Sequence, residues 1–314
     1  MALPAAATIE TDRTLSLFEI GEQMVRLLTS REMVLLYAGS VALLFLAAWR
    51  QGWRETFTRR ALSGTLATLG VTVVNLLFVP VVVMASQWLQ SGYDRLGIAQ
   101  IPSSFWDGVH WLPLALVVIV VKDFADYWNH RAMHLKWLWP LHAIHHSDEE
   151  MNGFTTLRVH FLEGFVMAAS YVFILSWLNL PAGAAAGSGI LVVLHNAYVH
   201  TNLDWDHGPL RWLVASPRYH RWHHAKNPAA YGKNLANVIP AYDWMFGTYY
   251  NPHPCRDAIG ADGVPHADVT GLMTYPFVQW GRMIRQGPAA GRSDFEPQDD
   301  RAPDAGRAAP MRGA

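Results

Sequence analysis

The stretch HRAMHLKWLWPLHAIHH, residues 130–146, places five histidines in seventeen positions directly after an apolar run. A pH sensor needs one or two imidazoles, because each titrates near neutrality on its own. Five point to ligation. His130 and His134 are four residues apart, so on a helix they stand one turn apart on one face and can share a metal ion. Pro140 cannot continue a helix but suits the first turn of a new one. This predicts a second helix carrying His142, His145 and His146, whose i, i+3, i+4 spacing again makes a single face. Taken alone, the stretch also fits a histidine-rich loop at a membrane surface.

The rest of the chain argues against that alternative. HRWHH, residues 220–224, repeats the HxxHH pattern with His220, His223 and His224. His160, His195, His200 and His207 lie between the two copies, so most of the fifteen histidines fall between residues 130 and 224. Imidazole suits Zn, Cu, Fe and Ni, whereas Ca and Mg take oxygen ligands. Cys255 is the only cysteine, which excludes an intrachain disulfide, a four-cysteine zinc site and an iron–sulfur cluster. A structural zinc site uses four ligands. Eight to ten nitrogens therefore imply two metals, each with a coordination position left open for a small molecule.

Composition sets the class. Of 314 residues, 51% are apolar and 16% charged, which is low in charge for a soluble domain. Residues 33–49 carry no charge between Glu32 and Arg50, close to the roughly 17–25 residues that span a bilayer. Residues 61–93 are also uncharged, with Trp88 and Tyr93 where aromatic side chains favour the interface. WLPLALVVIVV from Trp111, extended through Phe124 and Trp128, predicts a long helix that carries His130 just beyond the hydrocarbon. Residues 164–203 are free of charge and interrupted by Pro181, Gly183, Gly187 and Gly189, the pattern of a helical hairpin.

Arg50, Arg54, Arg59 and Arg60 crowd the first loop, and short basic loops stay cytoplasmic. The amino terminus is then external, and Lys122, Arg131, Lys136, Arg211, Arg218, Arg221 and Lys226 fall on the cytoplasmic side with both HxxHH motifs. Residues 1–32 contain Glu10, Asp12, Arg13, Glu19, Glu22 and Arg26 and no apolar core, so the first span is expected to act as its own signal. Net charge is −1, and no basic aromatic groove points to nucleic acid. From Gln286 the chain is rich in Pro, Gly, Ala and charge without apolar periodicity, the composition of a disordered tail.

The order HRxxH, HxxHH, VHTN, HxxHH resembles the fatty acid hydroxylase and sterol desaturase superfamily of integral membrane dimetal oxygenases. The matching segments are DFADYWNHRAMH at 123–134, HAIHHSDEEMNGFTTLRVHFLE at 142–163, VHTNLDW at 199–205, SPRYHRWHH at 216–224 and YDWMFGTYY at 242–250. The resemblance covers roughly residues 110–250. It implies an all-α integral membrane bundle whose cytoplasmic, histidine-rich helical cap holds two iron ions, with zinc possible in purified samples. The ligands it implies are His130, His134, His142, His145, His146, His200, His220, His223 and His224. The partner one turn before His200 is Asn196 here. His195, five residues before His200, joins the candidates only if the helix bends, since a five-residue step turns about 140° away.

Asp126, one turn before His130, is the candidate catalytic-site carboxylate: it can take a proton from a ligand's second nitrogen, or pair with Arg131. His160 reads as a substrate-side or packing residue, and His207, His253 and His266 as loop histidines. Trp128, Trp137, Trp139, Trp222 and Trp244 are candidate walls of the site. The expected division is an N-terminal segment 1–32, spanning helices 33–110, a catalytic domain 111–250, a C-terminal extension 251–285 and a tail 286–314.

A hydrocarbon chain offers no polar bond to a general acid or base, so attack on it requires oxygen activated by a redox metal. The expected function is thus O2-dependent hydroxylation or desaturation of a lipid, such as a fatty acyl chain, sterol or polar lipid, at the inner membrane. No G-x-G-x-x-G fingerprint opens a strand–helix unit, so electrons must come from a separate donor, a cytochrome b5-like protein or a ferredoxin with its reductase. Arg211, Arg218, Arg221 and Lys226 offer a basic face for an acidic carrier. Two other classes remain. A zinc hydrolase finds acidic residues at Asp148, Glu149 and Glu150 but no HExxH helix. A metal transporter or metal-binding protein would place ligands within its spans, which are nearly free of polar residues.

Overall fold

The uncharged stretches between the arginine-rich loops form long helices. In the computed structural model, residues 28–286 are described together with Glu22, Val25 and Arg26. Most of the expected N-terminal segment 1–32, and the tail after Gln286, lie outside the described residues. Helix α1 covers Arg31–Gln51, started by the Ser30 side chain, which accepts the Met33 N–H. A single turn, Trp53–Thr56, leads to α2, Arg59–Arg95, whose N-cap Thr58 accepts the Ala61 N–H at 2.9 Å. At about 1.5 Å per residue, α2 is longer than the ~30 Å hydrocarbon core, so its basic first turn reaches past it. Pro80 lies inside α2, a position that membrane helices tolerate.

Helix α3 is Trp111–Met133, and α4, Trp139–His146, follows after a short turn with Pro140 in its first turn, as the spacing predicts. The expected hairpin forms from α5, Phe161–Leu175, and α6, Ala182–Val199. Beyond it come the short helix α7, Pro217–His223, one turn at Ala241–Met245, and the amphipathic α8, Val269–Gln286. Among the described residues no strand occurs, only an isolated bridge between Ala225 and Ile259. The chain is all-α.

Three helices, Met33–Gln51, Arg59–Arg95 and Phe161–Leu178, are long and apolar enough to cross a membrane. Their outward faces are hydrophobic: Leu66, Val73 and Phe173 stand more than half exposed, as residues facing lipid do. Trp88 is 72% exposed, consistent with an interfacial anchor, whereas Tyr93 is packed inside. The second half of α3 departs from a simple apolar span. Lys122, Asp123 and Asp126 interrupt it, and all three are engaged by protein groups.

α2 packs against α5, α3 against α5 and α6, and α1 against α6. The apolar core beneath the histidines brings Ile144 of α4 against Ala67 and Val71 of α2 and Leu272 of α8. α8 thereby braces the helix that carries three of the histidines.

Candidate metal centre

Four helices end at one place. α3 delivers His130 in its last turn and His134 at its C-cap, while α4 ends on His145 and His146. α6 is capped by His200, and α7 carries His220 and His223 with His224 at its cap. Each helix C-terminus carries the negative end of the peptide dipoles. The convergence therefore favours a cation at the point where the imidazoles meet.

The nine rings divide into two adjoining groups. His130, His134, His142, His146 and His223 form one, and His145, His200, His220 and His224 the other. Within each, one ligand atom per residue lies within 4.8 Å of the others, an arrangement that can hold a metal ion. The groups touch through the stacked rings of His146 and His224, 4.4 Å apart. The closest contacts join Nε2 atoms: His130 to His142 at 3.0 Å, His145 to His200 at 3.1 Å, and His200 to His220 at 2.9 Å. First-row ions bind imidazole at about 2.0–2.1 Å, so two ligands at right angles lie roughly 2.9 Å apart. The spacing fits nitrogens gathered around an ion.

Proton bookkeeping supports the fit. His130 Nδ1 is 2.7 Å from the Leu235 carbonyl, His223 Nδ1 2.8 Å from that of Lys233, and His200 Nδ1 2.6 Å from that of Asn196. A carbonyl only accepts, so each Nδ1 carries the hydrogen and each neutral ring turns a bare Nε2 lone pair inward. His223 Nε2 is buried with no hydrogen-bond partner. Burial pushes the imidazoles down, His223 to about 3 and His145, His146, His220 and His224 well below the ordinary histidine value, with repulsion from neighbouring rings adding to the effect in the last four. These rings are neutral and ligand-ready at neutral pH.

The two carbonyls that orient His130 and His223 belong to one short loop, and Asp243 fixes it. Its carboxylate accepts the N–H groups of Leu235 at 2.7 Å and Ala236 at 2.9 Å, the Thr248 hydroxyl at 2.7 Å, and the Tyr219 hydroxyl. Asn234, in a left-handed conformation at φ 58°, donates to the Tyr219 and Tyr250 carbonyls and pins the other side of the bend.

Comparison with known proteins bears on this geometry. The match to the fatty acid hydroxylase family runs over residues 115–248, the region that contains all nine clustered histidines. Residues 115–248 belong to the fatty acid hydroxylase family. An ornithine lipid hydroxylase of Rhizobium tropici is 31% identical over 185 residues, 57% of this chain and 55% of the relative. An alkylglycerol monooxygenase of Danio rerio is 34% identical over 153 residues, 46% of this chain and 34% of the relative. A very-long-chain aldehyde decarbonylase of Oryza sativa subsp. indica is 28% identical over 155 residues, 44% of this chain and 54% of the relative. The chain thus spans between a third and just over half of the length of these relatives. No solved structure matches.

Within the fatty acid hydroxylase domain, His195 stands apart from both groups. α6 stays helical up to Val199, so the five-residue step carries the His195 ring away from His200 and beside Tyr198, at 5.9 Å. Asp126 makes neither of its expected contacts. It binds the Lys122 ammonium at 2.6 Å and the Tyr171 hydroxyl, because His130 Nδ1 is already taken by Leu235 and Arg131 donates to the Tyr127 hydroxyl. His160 is a packing residue: its Nδ1 caps α5 and its Nε2 bonds the Met273 carbonyl. Of the five tryptophans, Trp139 walls the site, 5.3 Å from the His134 ring and 5.1 Å from that of His146. Trp222 packs instead on Tyr250 and His253, and Trp128, Trp137 and Trp244 face outward.

Sequence reasoning missed Asp243 and Arg158. Arg158 is fully buried and donates to the Ile144 and Gly64 carbonyls and to the Ser147 and Thr68 hydroxyls, tying α4 to α2 under the histidines. The available signal was a charged residue set in an apolar context, Asp243 among YDWMF and Arg158 in TTLRVH.

Proposed function

We propose that this protein is a membrane-bound non-haem diiron oxygenase that hydroxylates or desaturates a lipid, using O2 and electrons from a separate donor. The observation that carries this reading is the pair of buried, all-imidazole groups in a fatty acid hydroxylase domain, on a chain with three helices long and apolar enough to cross a membrane. Iron held there supplies the one-electron chemistry that turns O2 against an unactivated C–H bond, which zinc does not. The chain does the rest. Carbonyls of residues 233, 235 and 196 keep three Nε2 atoms aimed inward, Trp139 shields one side from water, and the exposed apolar helix faces receive the acyl part of the substrate. Two relatives carry names that specify ornithine lipid and alkylglycerol, which favours a polar lipid over a sterol.

We take residues 111–250 as the catalytic unit, 33–110 as spans and 251–285 as an extension that braces α4. We put the site on the cytoplasmic face of the inner membrane, a reading that the basic loops support. The electron donor is an acidic carrier of the cytochrome b5 or ferredoxin kind. Arg218 and Lys226 already pair with Asp204, Asp206, Glu149 and Asp262, and Arg221 binds Asn202 and the Cys255 carbonyl. Arg211, lying over the Trp212 ring, is the member of that basic set left for docking.

A zinc hydrolase would need a carboxylate free to act as base. Of the acids that follow HAIHH, Asp148 instead accepts from Thr155 at 2.6 Å and Glu149 pairs with Arg60 and Lys226, while Glu163 lies behind His142 on its Nδ1 side. The test is lipid mass spectrometry of cells with and without the chain, grown under isotopically heavy O2. A lipid that gains one heavy oxygen indicates hydroxylation, and one that loses two hydrogens indicates desaturation. Lipids unchanged except for hydrolysis by ordinary water would overturn the oxygenase reading.

A further inference from the structure

Glu163 is the one acidic or basic residue in the apolar stretch Phe161–Leu178. An ionisable group in such a segment is costly and calls for a partner. Its side chain is buried, in the first turn of α5. A carboxylate there often accepts the N-cap residue's own N–H and so closes a capping box, but here the cap is made by His160 Nδ1, which accepts the Leu162 N–H, without a return bond to Glu163. Glu163 Oε1 has no hydrogen-bond partner, and Oε2 lies 3.5 Å from His142 Nδ1. His142 Nδ1 is itself buried without a hydrogen-bond partner. Two orphaned groups thus face each other, one an acceptor and the other a ring nitrogen able to carry a proton.

The contrast with the other rings gives the contact meaning. His130, His223 and His200 rest their Nδ1 on neutral backbone carbonyls. His142 alone among these four faces a carboxylate, while its Nε2 meets His130 Nε2 at 3.0 Å inside the five-histidine group. We propose that Glu163 is a positioning residue that takes the Nδ1 hydrogen of His142, turns its Nε2 toward the five-histidine group and makes that nitrogen a stronger donor. Hydrogen-bonding partners of this kind fix ring orientation and raise ligand basicity, and losing one weakens metal binding by about 10–100-fold. The role rests on the dimetal reading above.

The test compares the full-length wild type with Glu163→Gln and Glu163→Ala in detergent. Metal content is measured first, then affinity for added Zn by chelator competition, then the reduction midpoint of the iron-loaded protein. Glu163→Gln, nearly isosteric, keeps the wild-type number of ions, binds zinc about tenfold more weakly and shifts the iron midpoint upward, because the ferric state loses a negative neighbour. A purely structural role would leave the midpoint unmoved. Affinity and midpoint unchanged in Glu163→Gln, with the wild type metal-loaded, would overturn the proposal. Loss of a whole ion in that variant would overturn it too, in favour of direct ligation. A wild type without metal would instead remove the dimetal reading, and this role with it. Should Glu163→Ala fail to fold, Glu163→Gln decides alone.

Discussion

Replacing Asp243 by Asn tests whether the loop behind the histidines sets their geometry. The two side chains have the same shape, so the change isolates hydrogen bonding. Each carboxylate oxygen of Asp243 accepts one backbone N–H and one hydroxyl: Leu235 N and Thr248 on Oδ1, Ala236 N and Tyr219 on Oδ2. An amide supplies one oxygen. Whichever way it turns, its NH2 confronts a backbone N–H, although the hydroxyl on that side can rotate and accept. One buried N–H is left without an acceptor, at about 1–3 kcal/mol, and the remaining bonds lose their charge assistance. Relief from burying a charge offsets part of this, since burial alone raises the Asp243 carboxyl above its usual range. The expected net loss is roughly 2–3 kcal/mol.

The consequence reaches the metal because Lys233 and Leu235 present the carbonyls that orient His223 and His130. Both histidines belong to the five-membered group. Asp243→Asn is therefore expected to lower the midpoint of chemical denaturation in detergent and to deplete metal from that group selectively. Stability within about 0.5 kcal/mol of wild type, together with full metal content, would refute the reasoning.

His200→Ala is expected to lose metal or activity, whereas His195→Ala leaves metal content nearly unchanged; equal loss in the two would show that α6 bends and that His195 ligates. The metal-free protein should lose stability in acid. The folded-state pKa of His223 is depressed to about 3 against an ordinary 6.5, so the unfolded chain binds more protons between those values. Stability is then complete above about pH 6.5 and falls as pH drops toward 3, by an amount of order 5 kcal/mol for this group. A denaturation midpoint that stays flat between about pH 7 and pH 5 would contradict it. Purified protein given NADH and O2 alone should not turn over, and activity under those conditions would show that the chain accepts electrons from the nucleotide itself.

Much of the site could be read in the sequence because histidine spacing and helix periodicity speak the same language. HxxxH, Pro140 and two HxxHH repeats give the faces that the structure brings together. Uncharged runs likewise mark α1, α2 and the hairpin. What escaped depends on contacts distant in sequence. Asp126 lies one turn from both Lys122 and His130, and spacing does not say which it meets; the Leu235 carbonyl, 105 residues beyond His130, settles it. Arg158 and Asp243 act on backbone groups of other segments, which leave no periodic mark. The basic segment looked like free charge because its acidic partners, Asp204, Asp206 and Asp262, belong to other loops.

The most direct measurement is the metal content per chain of protein purified from its membrane, beside His146→Ala and His223→Ala. The dimetal reading predicts close to two transition-metal ions in the wild type and fewer in each variant, with both variants still inserted in the membrane. Zinc in place of iron would fit, since such a site binds zinc more tightly than ferrous iron. No metal in the wild type, or undiminished turnover in both variants, would contradict it.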